Sequence, residues 1–458
     1  MRTRASILVG LLWCVALLSL VVVSLLHIAR MDLMITKNHG DKIQAHYLAL
    51  AGIEKAKALL YRDARERSRS ARNHSGELFG LPEQFRDVAF GRGHFRVFRR
   101  GRPDEGGGVK YGVADEESRL NINTATPAEF TKLEGFTPDL AAAVVAWRGG
   151  GDGGGAISAA ANSDYYASLQ PPYQPRNGPF QTVRELLMVR GVPPNLLLGN
   201  DASQNGVLDD TDDGDQSPFG ADRQTGPVNS GWAGLMTVDS AVENVSAAGQ
   251  KRVDIQTADE ASLTGVRGIA PPIAKAIVQH RAQNRFQSIA DLLDVTPPQN
   301  QPQPGSPGSP RSNPSGQPGP MPGNPSGPKV IDENLLLDIA DDLTTDSNSD
   351  QPGLVNINTA GREVLVCLPG VDRELAQAII SYRQSAGFFP SIAWLLKVPG
   401  MNPQTFKQLA PKVTARSETF RILSEGRIKS TGARQRIQVI VHIGLNAIKT
   451  LSYRENDL

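Results

Sequence analysis

The sequence predicts an α+β protein with a long N-terminal spine helix, antiparallel strands near both ends of the chain, and a large helical region between them. Three observations predict this. Residues 7–28 form an apolar run without Asp, Glu, Lys or Arg. Segments on either side of the chain's middle alternate polar and apolar residues. One six-residue motif recurs three times between them.

The 22 residues of the apolar run would rise about 33 Å as a helix, enough to cross a hydrocarbon core. Only Arg2 and Arg4 precede it as charges, so the N-terminus is expected to stay in the cytoplasm and the chain after Arg30 to be exported. A cleaved secretory signal would have a shorter apolar core and a small-x-small site, which Leu26-His27-Ile28-Ala29 matches poorly. A lipoprotein anchor at Cys14 would need a small residue where Trp13 stands. An uncleaved or barely trimmed anchor remains.

The helical pattern continues past the apolar run. Residues 31–66 contain no proline, and Ala45, Leu48, Ala51 or Gly52, Ala56 and Leu59 recur mostly at spacings of three and four. Lys42, Glu54, Lys55, Lys57 and Arg62 fall on the other faces, so one helix, half apolar and half amphipathic, is expected over 6–66. A single-pass anchor with a separate juxtamembrane helix is the plainer alternative. With 458 residues and a formal net charge of +1, the chain allows several domains and gives no reason to expect a polyanionic partner. The two cysteines, Cys14 and Cys367, lie far apart, so no disulfide is expected.

Next come strands. His94 to Arg99 and Val109 to Val113 alternate around a glycine-rich turn at 101–108 and read as a hairpin. Near the other end, 419–426 and 434–443 alternate in the same way.

The repeat is the most specific signal. Leu120-Asn121-Ile122-Asn123-Thr124-Ala125 returns as Val253-Asp254-Ile255-Gln256-Thr257-Ala258 and as Val355-Asn356-Ile357-Asn358-Thr359-Ala360. In each copy a glycine follows the isoleucine by 13 residues (135−122, 268−255, 370−357) and an arginine by 26 (148−122, 281−255, 383−357). Each copy parses as two short helices joined by a tight turn at Gly135, Gly268 or Gly370, with Thr124, Thr257 and Thr359 as candidate caps. Closing segments follow at Phe180-Gln181-Thr182-Val183, Phe286-Gln287-Ser288-Ile289 and Phe389-Pro390-Ser391-Ile392, each with a Leu-Leu pair. This is a helix-hairpin-helix pattern three times over.

Such units can present hairpin amides to phosphate. That use favours a second glycine two places after the first, where this chain has Thr137, Ala270 and Asp372, with Glu134 on the first turn. DNA binding is therefore disfavoured, and packing or protein contact is the expected role.

A further pattern carries metal chemistry. From Asp201 to Asp212 an EF-hand-type loop can be read, with Asp201, Ser203, Asn205, Val207 (through its carbonyl), Asp209 and Asp212 as the ligating positions and Gly206 at the bend. Asp212 replaces the usual bidentate glutamate, which should weaken calcium binding. A solvated acidic loop is the plainer alternative. No catalytic arrangement is evident: the seven histidines are scattered, and Asp115, Glu116 and Glu117 are accounted for by turn chemistry at a strand exit. The protein is not expected to be an enzyme.

The N-terminal spine, the run from Tyr111 to Arg119 leading into Leu120-Asn121-Ile122-Asn123-Thr124-Ala125, and the Phe-x-Ser/Thr-Val/Ile-x-x-Leu-Leu segments together resemble the type II secretion system protein K family, the large minor pseudopilins. The resemblance implies a pilin-like body into which the helical region is inserted, so that 95–113 and 419–443 share one sheet. It implies other minor pseudopilins, the inner membrane and the secretion system's inner-membrane platform as partners, and calcium in the helical insertion. It also implies processing of the leader, with Ala5 and Ser6 flanking the nearest equivalent junction and Gly10 where most pseudopilins carry an acid. Three repeats instead of two depart from the family pattern.

The expected division is then a basic leader (1–5), the spine (6–66), first strands (85–118), repeat 1 with its glycine-rich insert (119–198), the acidic loop and connector (199–250), repeat 2 (251–295), a Pro/Gly-rich insert without fixed structure (296–352), repeat 3 (353–415) and the C-terminal strands (416–458). The expected function is that of a minor pseudopilin capping a pseudopilus tip. A membrane-anchored DNA-uptake protein is the alternative.

Overall fold

A computed structural model describes residues 3–73, 76–149, 164–201, 203, 229–297 and 329–455. Helix α1 (Thr3–Arg69) runs unbroken for 67 residues, about 100 Å at helical rise. Its apolar first half is exposed from Leu8 to Ile35 and packs on nothing among the described residues, as a membrane-crossing helix would. From Ala45 onward one stripe turns inward: Ala45, Leu48, Ala49, Ile53, Ala56, Leu60 and Ala64 are buried. The spacing expected Leu59 on this face; Leu60 takes the place, because a period of 3.6 drifts off a strict three-four count over four turns.

That stripe packs on an antiparallel sheet of seven strands: β1 (Val88–Phe90), β2 (Gly93–Arg100), β3 (Val109–Lys110), β4 (Ala114–Asp115), β5 (Thr419–Ile428), β6 (Arg434–Ile443) and β7 (Ile448–Arg454). The path is β1-β2-β5-β6-β7, with β3 on β2 and β4 on β5. Strand β2 meets β5 in a register that pairs Phe98 with Leu423 and Phe95 with Gly426, so the two ends of the chain share one sheet. Helix and sheet approach closely because glycine stands on both: a Cβ on Gly52 would strike the Ser424 side chain and one on Gly426 would strike the Ala45 carbonyl. Strand β7 went unseen in the sequence because Ile448, Leu451 and Tyr453 are widely spaced and largely exposed at the sheet's edge.

Between the end of β4 and the start of β5 lies the helical insertion with a second core, separate from the one under α1. It holds three units of one design. Each opens on a two-residue strand paired in parallel with a closing strand: Leu120 with Met236, Val253 with Leu343, and Val355 with Val413. Each contains two helix pairs. The first pairs are Pro127–Phe130 with Pro138–Trp147, Glu260–Thr264 with Pro271–Gln283, and Arg362–Cys367 with Arg373–Ala386. In the second pairs a 3-10 turn leads: Val183–Met188 then Pro194–Leu198, Ile289–Asp294 then Glu333–Ile339, and Ile392–Lys397 then Pro403–Leu409.

This moves several expected boundaries. Unit 1 does not end at 198, since its closing strand is Met236–Thr237, inside the stretch read as a connector. Unit 2 does not end at 295. Within the insert assigned to 296–352, residues 329–352 are ordered, with Asp332 capping a helix through Leu335 N–H at 2.8 Å, and Leu336 and Ile339 fully buried. The low-complexity composition stops at Lys329, and the apolar residues after it can bury. Likewise, in the glycine-rich stretch 149–178, Tyr166 is fully buried and stacks edge-on to Trp147 at 5.2 Å, because aromatic side chains resume there. The most biased parts, 150–163 and 298–328, lie outside the described residues.

Candidate functional site

The three units share one hydrogen-bond scheme, and it accounts for the arginine offset of 26. The arginine 26 residues after the isoleucine reaches back to the motif's carbonyls. Arg148 donates to Ile122 O at 2.6 Å and Ala125 O at 2.7 Å, Arg281 to Ile255 O at 3.1 Å and Ala258 O at 2.5 Å, and Arg383 to Ile357 O at 3.0 Å. The second amide of each motif ties the closing segment. Asn123 and Phe180 exchange two bonds, at 3.1 and 2.7 Å, Asn358 and Phe389 do the same, and Gln256 donates to Phe286 O. The motif's first polar residue folds onto its own turn: Asn121, Asp254 and Asn356 each accept from the N–H two residues on at 2.9 Å. The expected caps at Thr124, Thr257 and Thr359 are not caps. Thr126, Asp259 and Gly361 hold those positions, two residues later, because the motif's turn consumes the intervening residues.

Gly135, Gly268 and Gly370 do make the hairpin turns, with φ of +76°, +99° and +73°. Two residues on, Thr137, Ala270 and Asp372 sit at the N-cap of the next helix, and Asp372 accepts from Leu375 N–H at 2.7 Å. In unit 3 a carboxylate thus occupies the helix N-terminus that a phosphate would use.

Sequence reasoning missed the second hairpin of each unit. Gly191 and Gly400 turn it in units 1 and 3, with φ of +81° and +87°. The signal was present as Val189-Arg190-Gly191 and Val398-Pro399-Gly400, and in the closing pairs Met236-Thr237, Leu343-Thr344 and Val413-Thr414.

It also underestimated Asp115, Glu116 and Glu117, which are all buried where the insertion leaves the sheet. Asp115 accepts from Ser417 Oγ at 2.5 Å, from Asn356 Nδ2 at 3.3 Å and from the Thr359 hydroxyl, joining unit 3 to the start of β5. Glu117 accepts from Thr419 N–H at 3.1 Å and from Ala241 N–H at 3.3 Å. Glu116 meets Arg421 at 2.7 Å and accepts from Thr237 Oγ1 at 2.5 Å, joining unit 1 to the sheet. Burial would push the Glu116 carboxyl up, but Arg421 and Arg119 hold it below its ordinary range. Burial pushes Glu117 well above its ordinary range, and the Asp115 charge adds to this. Turn chemistry does not need three buried acids; they form the polar knot between body and insertion.

Of the calcium positions, only Asp201 and Ser203 are among the described residues. Asp201 is almost fully buried and accepts from Ser230 Oγ at 3.3 Å and from Ser203 Oγ at 3.4 Å, while Arg454 donates to Ser203 O at 3.2 Å. The charges of Arg100 and Arg119 also act on Asp201. Asn205, Val207, Asp209 and Asp212 lie outside the described residues. Ala5 and Ser6 are in the first turns of α1.

Comparison with known proteins returns the same units. Residues 249–297 and 351–414 match the helix-hairpin-helix motif family. Residues 120–198 match the family of type II secretion system (T2SS), protein K. Among curated proteins, ComE operon protein 1 of Bacillus subtilis is 37% identical over 70 residues, 15% of this chain and 34% of that protein. The transcriptional accessory protein Tex of Neisseria gonorrhoeae is 43% identical over 56 residues, 12% of this chain and 7% of that protein. The matched stretch thus spans about a third or less of these relatives. A chain of the GspK-GspI-GspJ complex from the enterotoxigenic Escherichia coli type 2 secretion system overlays with a TM-score of 0.42 at 11% identity, covering 92% of this chain and 99% of that one. The chain thus carries a match to the type II secretion system protein K family at 120–198 and two further helix-hairpin-helix units, all inserted into an α+β body behind a long apolar helix.

Proposed function

We propose that the protein is a minor pseudopilin of a type II secretion system, acting by assembly and not by catalysis. The observation that carries this reading is topological: the segment matching protein K begins at Leu120, directly after β4, inside an insertion whose far end returns to the same sheet at Thr419. The body beneath it is a helix-on-sheet unit whose helix extends into a membrane-length apolar half.

In this reading the N-terminus is cytoplasmic, the bulk of the chain is periplasmic, and the spine rests in the inner membrane beside the secretion platform before it is drawn into a fibre. The leader is trimmed between Ala5 and Ser6. Gly10 gives the spine no acid to pair with a neighbour's terminal amine, which suits a subunit with nothing above it. The insertion, about 300 residues between β4 and β5, then caps the tip together with other minor pseudopilins. Calcium at the loop beginning with Asp201 stabilises unit 1. Co-purification of the full chain in detergent with two partner minor pseudopilins tests the assembly; a chain that stays monomeric with both present overturns it.

The alternative, a DNA-uptake receptor, draws on the helix-hairpin-helix matches at 249–297 and 351–414. Asp372 at the third hairpin opposes it. A salt-dependent gel shift of duplex DNA would revive it.

A further inference from the structure

Three segments far apart in sequence meet where the insertion rejoins the body: the strand Ala241–Glu243, the lead-in to β5, and β6. Each brings one metal-ligating side chain. The ligand atoms of Glu243, Glu418 and His442 all lie within 4.8 Å of one another. Glu418 is only 7% exposed, and Glu243 and His442 are half-buried.

The surroundings make an excess of negative charge. Asp350 stands directly opposite Glu243 in the antiparallel ladder, a like-charge pairing that costs stability unless a cation offsets it. Arg416 offsets it only in part. Arg416 spends its guanidinium on Glu418 at 2.9 Å and on the Glu243 and Ser246 carbonyls, and Lys449 pairs with His442 only in strand register. Among the described residues, no group donates a hydrogen bond to the Glu243 carboxylate.

The backbone leaves room for this carboxylate. A Cβ on Gly444 would lie 2.5 Å from Glu243 Oε1, so only glycine allows that oxygen to sit where it does. The imidazole is also prepared. The Thr419 hydroxyl gives its one hydrogen to Ala241 O at 3.3 Å, leaving its oxygen to accept from His442 Nδ1, 3.4 Å away. With Nδ1 as the donor, Nε2 is the ring nitrogen left for a metal.

We propose that Glu243, Glu418 and His442 form a binding site for a divalent transition-metal cation, of which zinc is the reference case. Two carboxylates and one imidazole are a mixed oxygen-nitrogen donor set with a coordination position open to water. Arg416 on Glu418 and Thr419 on His442 serve as outer-shell partners that hold the ligands in place. The ion pins the connector between units 1 and 2 to β5 and β6, so that the insertion is fastened to the sheet at a second point beside the knot at Asp115–Glu117.

The test is titration of the chelator-stripped full chain in detergent with Zn²⁺ by calorimetry, with Co²⁺ absorption as a spectroscopic readout. One saturable Zn²⁺ site is expected, with a Co²⁺ spectrum that His442→Gln alters, and affinity reduced by roughly tenfold or more in His442→Gln and in Glu243→Gln. Asp201→Asn, at the calcium loop, leaves that affinity unchanged. Far-ultraviolet circular dichroism checks that each variant retains its helix and sheet. Absence of saturable uptake by the parent chain overturns the proposal, as does uptake that survives unchanged in a folded His442→Gln.

Discussion

Asn358 and Phe389 hold each other by two hydrogen bonds, the Nδ2 amide donating to the Phe389 carbonyl at 3.1 Å and the Phe389 N–H donating to Oδ1 at 2.7 Å. The same exchange joins Asn123 to Phe180. Both groups of Asn358 are buried, and its Nδ2 also reaches Ala415 O at 3.0 Å. Replacing Asn358 by Ala leaves a buried N–H and two carbonyls without partners, at about 2–3 kcal/mol. Urea unfolding of the full chain in detergent checks this; a loss under about 0.5 kcal/mol would show that water replaces the amide.

Arg383 is almost fully buried and bridges Ile357 O to Asp104 Oδ2 at 2.9 Å, tying unit 3 to the turn after β2. Arg383→Met keeps the stem's volume but removes one of two arginines on Asp104, Arg102 remaining at 3.1 Å, and is expected to cost about 2 kcal/mol. Arg281→Met, whose guanidinium meets no acidic side chain at salt-bridge distance among the described residues, should cost less. Equal losses would locate the energy in the carbonyl contacts alone.

Gly370 turns the third hairpin at φ +73°, and a Cβ there would press on Thr405 and Gln408 at 3.1 Å. Gly370→Ala is expected to cost about 1–2 kcal/mol, and Gly370→Asn less, since asparagine tolerates the left-handed region. Thermal melts of the two variants give the order; Ala melting with the parent chain would refute the strain.

Burial, reinforced by the Glu116 charge and opposed by Arg421, pushes the Asp239 carboxyl up to about 6. An unfolded aspartate ionises near 3.9. The folded state therefore binds the proton more tightly, and this contribution to stability is present below about pH 4 and lost as pH rises through about 6. Asp239→Asn should raise the Tm at pH 7.5 by on the order of 2 °C, with the gain vanishing near pH 4. A gain independent of pH would rule out the titration.

If the loop at Asp201 binds calcium, saturating the full chain at about a hundred times Kd should stabilise it by about 2.7 kcal/mol. Melting with calcium and with chelator measures this, and Asp201→Asn should abolish the difference. Identical melts of the parent chain in both conditions would remove the site.

The sequence alone determined what depends on local spacing. The apolar run of α1, the alternation of β2, β5 and β6, and the three glycine turns follow from side-chain periodicity and backbone sterics, which a reader can count along the chain. The offset of 26 was countable too, yet its meaning, an arginine capping carbonyls of its own unit, required the fold. Only the tertiary structure decided where each unit closes, because a two-residue strand such as Met236–Thr237 has no period and gains its partner from a segment more than a hundred residues away. It decided as well that Asp115, Glu116 and Glu117 are buried, and that Glu243, Glu418 and His442 meet. Burial and proximity between distant segments are set by how the chain returns on itself, and composition at any one position does not carry that information.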